Sequence, residues 1–169
     1  NEEAYKKKLP SEYESTFETL RDKIIVGFAG GFVPSGSIDT LVNAAVLIKD
    51  RCDVHFVLVG KGPAQLTYEN IIKNNHLQNV SILPPVPKPL MPVLVSHFDI
   101  CFIGGVHSIL HKYGTAANKL TDYMLSSKPI IHAVDELGAM VEKVECGICT
   151  EAENVEQVYD AIVKLVSMS

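Results

Sequence analysis

Residues Ile103 to Ile131 read IGGVHSILHKYGTAANKLTDYMLSSKPII, and the run of residue types predicts strand, loop, helix and strand again. An apolar strand, Asp99 to Ile103, leads into a loop carrying Gly104, Gly105, His107, Ser108, His111, Lys112, Tyr113 and Gly114. A short helix is expected from Ala117 to Ser126, and Lys128-Pro129 then launches a second strand, Ile130 to Val134. On that helix Asn118, Lys119, Asp122 and Tyr123 fall at i, i+3 and i+4 offsets and share one face near its start. A cation, a carboxylate, an amide and a phenol at a helix N-terminus, beyond a strand's carboxyl end, suit a polar, anionic ligand. The same residues also fit an N-capped surface helix with an i,i+3 salt bridge. Residue types alone leave both readings open.

The pattern repeats on either side. Upstream, Lys23 to Ala29 is a continuous apolar strand of the buried, parallel type, and Gly30-Gly31 ends it. A helix from Ile38 to about Asp50 follows a loop rich in Gly, Pro and Ser. Val54 to Gly60 is a second strand, turned by Lys61-Gly62-Pro63 into a helix reaching about Asn75. Val80 to Leu83 is a third strand, and a proline-crowded turn (Pro84, Pro85, Pro87, Pro89, Pro92) precedes a helix at Lys88 to Ser96. Downstream come a helix near Leu137 to Lys143, a short strand from Gly147 to Thr150, and an amphipathic helix capped by Asn154. Residues 1–22, with Lys6 to Lys8 and Pro10, read as a lead-in linker or short helix outside the core. Residues 23–169 read as one α/β domain, a doubly wound parallel sheet of Rossmann-like type.

Composition narrows the function. The 169 residues fit one domain with a real core, and 47% hydrophobic with 21% charged residues describes a globular chain. A net charge of -5 argues against nucleic acid held by a broad basic patch. No apolar run approaches the roughly 18 residues of a membrane span. The chain starts at Asn1 rather than Met, with no signal-peptide apolar region after it, so a fragment is expected. Cys146-Gly-Ile-Cys149 has the CxxC spacing but stands in a strand, with no second pair or nearby histidines to complete a zinc site. Cys52, Cys101, Cys146 and Cys149 therefore read as reduced core cysteines of a cytosolic protein, and no metal is expected.

In a doubly wound sheet the loops that meet ligands are those at the strands' carboxyl ends, here Gly30–Ser37, Gly60–Pro63, Pro84–Lys88 and Gly104–Asn118. Gly30-Gly31 lets backbone amides approach a phosphate, although neither a GxGxxG nor a P-loop pattern is present. Lys61 reads as a solvated turn residue. His107 and His111 share the focal loop with no carboxylate beside them in sequence, which favours contact with a sugar or phosphate over a metal.

Five segments in this order resemble the C-terminal, nucleotide-sugar-binding domain of retaining glycosyltransferases of the GT-B fold, family four. They are IIVGFAGGFVPSGSIDTLVNAAVLIKD, VHFVLVGKGPAQL, NVSILPPVPKPLMPVLVSHFDICF, NKLTDYMLSSKPII and CGICTEAENVEQVYDAIVKL. Ala117 to Ile130 resembles the PNKLFDYMAAGKPV stretch of the bacterial branch that transfers amino-sugar-type residues in surface polysaccharide assembly. The resemblance implies one half of a GT-B enzyme, acting on a nucleotide diphosphate-sugar, with UDP favoured, and on a glycan or lipid-linked acceptor. It implies that Gly30 and Gly31 approach the phosphates, that Val86 and Pro87 hold the base, and that Asp122 takes the ribose hydroxyls. His111, Tyr113, Gly114, Thr115, Asn118 and Lys119 would face the sugar and diphosphate, with Lys119 and Asp122 as the catalytic pair. No metal or other cofactor is implied. The N-terminal GT-B domain is the implied partner, and the whole protein would be cytoplasmic, peripheral to the inner face of the membrane. The chain departs from the family at two places. Gly114 stands where the first of two glutamates is common, and Phe32 to Gly36 lacks the usual Arg and Lys. Lys119 is the residue that would neutralise the diphosphate instead. Two other readings stay open: a non-catalytic nucleotide-binding or regulatory module, and half of a nucleotide-sugar 2-epimerase.

Overall fold

Every run read as a strand forms one in the computed structural model, which describes residues 5, 7–113, 118–137 and 139–168. The strands are β1 (Ile24–Ala29), β2 (Val54–Val59), β3 (Val80–Leu83), β4 (Ile100–Gly104), β5 (Ile130–Ala133) and β6 (Gly147–Thr150). Between them lie α2 (Ile38–Leu47), α3 (Gln65–Asn74), α4 (Met91–Ser96), α5 (Asn118–Leu125), α6 (Met140–Lys143) and α7 (Val155–Val166), with α1 (Ser11–Thr19) leading in. All paired strands are parallel, in the order β3-β2-β1-β4-β5-β6. That is the Rossmann order, with its reversal between β1 and β4.

Both faces of the sheet are buried, so the strands need apolar side chains in both directions. Val26, Phe28, Phe56, Leu58, Ile100, Phe102 and Ile131 pack against α2, α3 and α7. The alternating Ile25, Ala29, Val57, Val59, Cys101, Ile103 and Ile130 pack with residues of α1, α4, α5 and α6. The expected Asn154 cap is present, its side-chain oxygen accepting the Gln157 N–H at 3.0 Å. Among the described residues, no helix is long and apolar enough to cross a membrane.

The lead-in segment corrects the reading of residues 1–22. Leu9, Tyr13, Phe17 and Leu20 are all buried in the second core. The Phe17 ring stacks on His97 with centroids 4.3 Å apart and planes 7° from parallel, and the Tyr13 hydroxyl donates to the Pro84 carbonyl. Tyr13, Phe17 and the C-cap Leu20 lie on one stripe of α1, and Leu9 precedes its Pro10 cap. The glutamates, serines and threonines between them dilute the signal in sequence.

Close backbone approaches fix the loops at the carboxyl ends. A Cβ on Gly60 would lie 1.9 Å from the Gly30 carbonyl oxygen, and one on Gly104 would lie 2.6 Å from the Gly36 carbonyl oxygen. Only glycine fits where the loop after β1 folds over the ends of β2 and β4.

Candidate functional site

The site begins where the sheet opens. β1 pairs with β4 only at Val26–Ile100 and Gly27–Cys101, although both strands run on beyond those pairs. Past Gly27 the two strands diverge, and the Ala29 N–H loses a ladder partner on that side. Tyr123 of α5 supplies one, its hydroxyl oxygen accepting that N–H at 2.9 Å. The ring is completely buried there, and burial pushes the phenol well above its ordinary range.

One turn earlier on α5, Lys119 reaches across the same opening. Its ammonium nitrogen sits 4.2 Å from the centre of the Phe28 ring and 3.1 Å from where a side chain on Gly30 would begin. Burial lowers its pKa to about 8. Among the described residues no carboxylate pairs with it, so the i,i+3 salt bridge to Asp122 is not formed. The single polar face expected on α5 is therefore divided. Lys119 and Tyr123 turn into the opening, Asp122 is half-buried and Asn118 is exposed. Gly30 and Lys119, 89 positions apart in the chain, are brought together.

The loop after β4 is tied down at its start. The His107 ring nitrogen Nδ1 lies 2.7 Å from an Asp135 carboxylate oxygen. The backbone N–H of His107 donates to Glu153 at 2.8 Å, and Asp135 also accepts the Ala152 N–H at 3.0 Å. A carboxylate does stand beside His107, which corrects the sequence reading. The hydrogen bond to Asp135 raises the pKa of His107. Asp135 is held low, first by the Ala152 amide and then by His107. No local pattern links residues 28 positions apart, and the only cue in sequence was an Asp-Glu pair directly after a strand.

Further along this loop, His111 is half-buried, with Nδ1 enclosed and lacking a hydrogen-bond partner. Its Cε1 lies 3.2 Å from where a Gly105 side chain would begin. Tyr113 is 87% exposed. Gly114 and Thr115 lie outside the described residues. Gly31 is exposed at the end of β1; Val86 is half-buried against the second core, and Pro87 is exposed with its carbonyl accepting the Leu90 N–H at 2.8 Å. In strand order β3 stands three places from β4. The Val86–Pro87 turn and the focal loop are thus separated by roughly 14 Å across the carboxyl edge, three interstrand spacings. Lys61 is exposed in its turn, its carbonyl accepting the Phe32 N–H at 3.0 Å.

One further reading changes. All four cysteines are free, but only Cys101 is fully buried, whereas Cys52 and Cys149 are exposed. They are not all core residues. His55 is buried in β2 with Nε2 2.8 Å from the Ser81 hydroxyl.

The family model described as glycosyl transferases group 1 matches residues 23–168. No curated protein matches the chain significantly. Among solved structures, HepE from Anabaena, crystallised with UDP, is similar at a TM-score of 0.73 and 20% identity, covering 98% of this chain and 45% of its own. A point mutant of TarM from S. aureus, in complex with fondaparinux, alpha-GlcNAc-glycerol and UDP, gives a TM-score of 0.65 at 18% identity, covering 86% of this chain and 29% of its own. The C-terminal domain of LpcC, a group 1 family protein from Francisella tularensis, gives 0.69 at 18% identity, with 92% and 82% covered. The chain thus spans less than half of HepE and less than a third of TarM.

Proposed function

Since the chain belongs to the group 1 glycosyl transferases, we propose that it is the donor-binding half of a retaining glycosyltransferase. The donor is a nucleotide diphosphate-sugar, a UDP-sugar, carrying a hexosyl or N-acetylhexosaminyl group. The acceptor is a glycan or lipid-linked glycan in polysaccharide assembly, and the protein works in the cytoplasm, peripheral to the inner face of the membrane. The observation that carries this reading is the Lys119 ammonium, half-buried and, among the described residues, without a carboxylate partner, 3.1 Å from the Cβ position of Gly30. A buried cation lacking a counter-charge favours an anion beside it. A diphosphate lying over Gly30 and Gly31 meets that need.

Val86 and Pro87 hold the base, and Asp122 accepts hydrogen bonds from the ribose hydroxyls. His111, Tyr113, Gly114, Thr115 and Asn118 line the sugar and diphosphate. As the sugar–oxygen bond breaks, negative charge grows on the leaving diphosphate. Lys119 and the amino end of α5 stabilise it without needing to reorganise. The diphosphate accepts the proton of the incoming hydroxyl on the same face, so neither a covalent nucleophile nor a metal cofactor enters the step.

Calorimetric titration with UDP, GDP, ADP and CMP tests the reading, repeated on Asp122→Ala. UDP should bind in preference to the others, and the substitution should weaken it roughly tenfold to a hundredfold, the size of one or two hydrogen bonds to a carboxylate. Unchanged UDP affinity in Asp122→Ala removes Asp122 from the site. Binding of none of the four favours the non-catalytic module.

A further inference from the structure

β5 carries a histidine where the strand pattern asks for an apolar side chain. Ile130, His132 and Val134 alternate onto one face, and His132 is fully buried there. Among the described residues, neither of its ring nitrogens has a hydrogen-bond partner. The Glu136 oxygen Oε2 stands 3.6 Å from Nε2, beyond hydrogen-bond range yet close enough to bias which nitrogen carries the proton. His132 lies beside Ile103 in the sheet, at the end of β4 from which the loop carrying His111 departs. His111 Nδ1 is also enclosed and unpartnered. Leaving one buried polar atom unpaired costs about 1–3 kcal/mol, so two imidazoles left this way at one place call for an explanation.

Among the described residues, few groups face His132. Glu136 comes from the turn after β5 and His111 from the loop after β4. Cys149 is its register partner on β6, and Glu142 of α6 lies beyond, next to Cys149. Burial, the largest cause, holds His132 below the ordinary histidine range, Glu136 pulls it up, and His111 pushes it down. Among the described residues no set of three His, Cys, Asp or Glu side chains is arranged to hold a metal ion, which leaves proton chemistry.

We propose that His132 and Glu136 are positioning residues for His111, holding its imidazole so that it takes up a proton and faces the diphosphate when a nucleotide-sugar binds. The inference rests on the donor reading above. Glu136 favours the tautomer of His132 with the proton on Nε2, which leaves Nδ1 as a buried acceptor. Turned toward His132, His111 fills that acceptor with one ring N–H, and the other ring N–H then points to a phosphate oxygen. The added proton comes from solvent, and the imidazolium has a partner at each end, with the Asp135 carboxylate also within electrostatic reach of His111. The result is a second cation for the diphosphate, in a chain whose Phe32–Gly36 loop contains neither Arg nor Lys.

The test is calorimetric titration of this chain with UDP and with uridine at pH 7, in two buffers of different ionisation enthalpy. The unsubstituted chain, Glu136→Gln and His132→Asn are compared, each with a thermal melt. With a pKa of about 8, Lys119 is already charged at pH 7 and contributes little uptake. UDP binding should take up a fraction of a proton. Both variants should lose that uptake and bind UDP roughly tenfold less tightly, the worth of one charge-assisted hydrogen bond, with uridine affinity unchanged. Glu136→Gln nearly preserves shape, so its melt separates a folding defect from a lost role. Equal losses for UDP and uridine, or proton uptake indifferent to both substitutions, overturns the inference while the donor reading stands. A chain that binds neither UDP nor uridine overturns both.

Discussion

At the scale of single residues, Lys119 carries two pH dependences of opposite sign. Its pKa in the empty chain is about 8, against an ordinary value of 10.5. Between those values the unfolded chain holds the proton that the folded chain has released, so the stability of the empty chain rises with pH across that window. Below it, the charged ammonium sits in poor solvation and destabilises the fold. A bound diphosphate supplies the missing anion and draws the Lys119 pKa upward, so UDP affinity should fall as pH rises through about 8. Denaturant unfolding of the empty chain and UDP titrations, both from pH 7 to 10, measure the two slopes. Lys119→Met should flatten both, stabilise the empty chain at neutral pH and weaken UDP roughly tenfold, as expected for loss of a charged hydrogen-bond donor. A UDP affinity flat across this range in the unsubstituted chain would sink the assignment of Lys119 to the diphosphate.

At the scale of elements, α1 shows how charge can hide a core contact. Its buried Tyr13, Phe17 and capping Leu20, with Leu9 just before it, are few among glutamates, serines and threonines and give a weak sequence signal. Phe17 joins His97 and Phe98 under the amino ends of the strands. Phe17→Ala should therefore cost about 3–5 kcal/mol in denaturant unfolding, the range for emptying a buried aromatic position. A loss below about 1 kcal/mol, the scale of ordinary surface changes, would mean that α1 is not part of the folded unit. The strands and α7 were readable because each obeys one local rule: a continuous apolar run, or a stripe with an Asn cap. Gly30 and Lys119 could be named separately, but their meeting depends on β1 and β4 parting after Gly27–Cys101, which no local window contains. The same holds for His107 and Asp135, and for His132 beside His111. In each case the partner arrives from another strand's end, so spacing along the chain carries no trace of it.

At the scale of the molecule, the strand order decides where ligands can sit, and the loops around the opening decide how much of a ligand is enclosed. Ile109, Leu110, Tyr113 and Leu137, in loops at the strands' carboxyl ends, are 70%, 72%, 87% and 77% exposed. One wall of such a site leaves the sugar open to water, which competes with the acceptor hydroxyl and screens the charges that favour departure. On the proposed reading, an N-terminal GT-B domain forms the other wall and brings the acceptor. HepE, of which this chain spans 45%, is long enough to contain a second unit of this size. The chain alone should therefore bind a donor nucleotide weakly and transfer no sugar. The measurement is release of UDP from a labelled UDP-sugar, with and without a glycan acceptor, using this chain and then the protein with its N-terminal domain joined. Tighter nucleotide binding and transfer only in the joined protein would follow from a two-walled site. Turnover by this chain alone, with donor and a matched acceptor, would mean that the opening between β1 and β4 already holds everything the reaction needs.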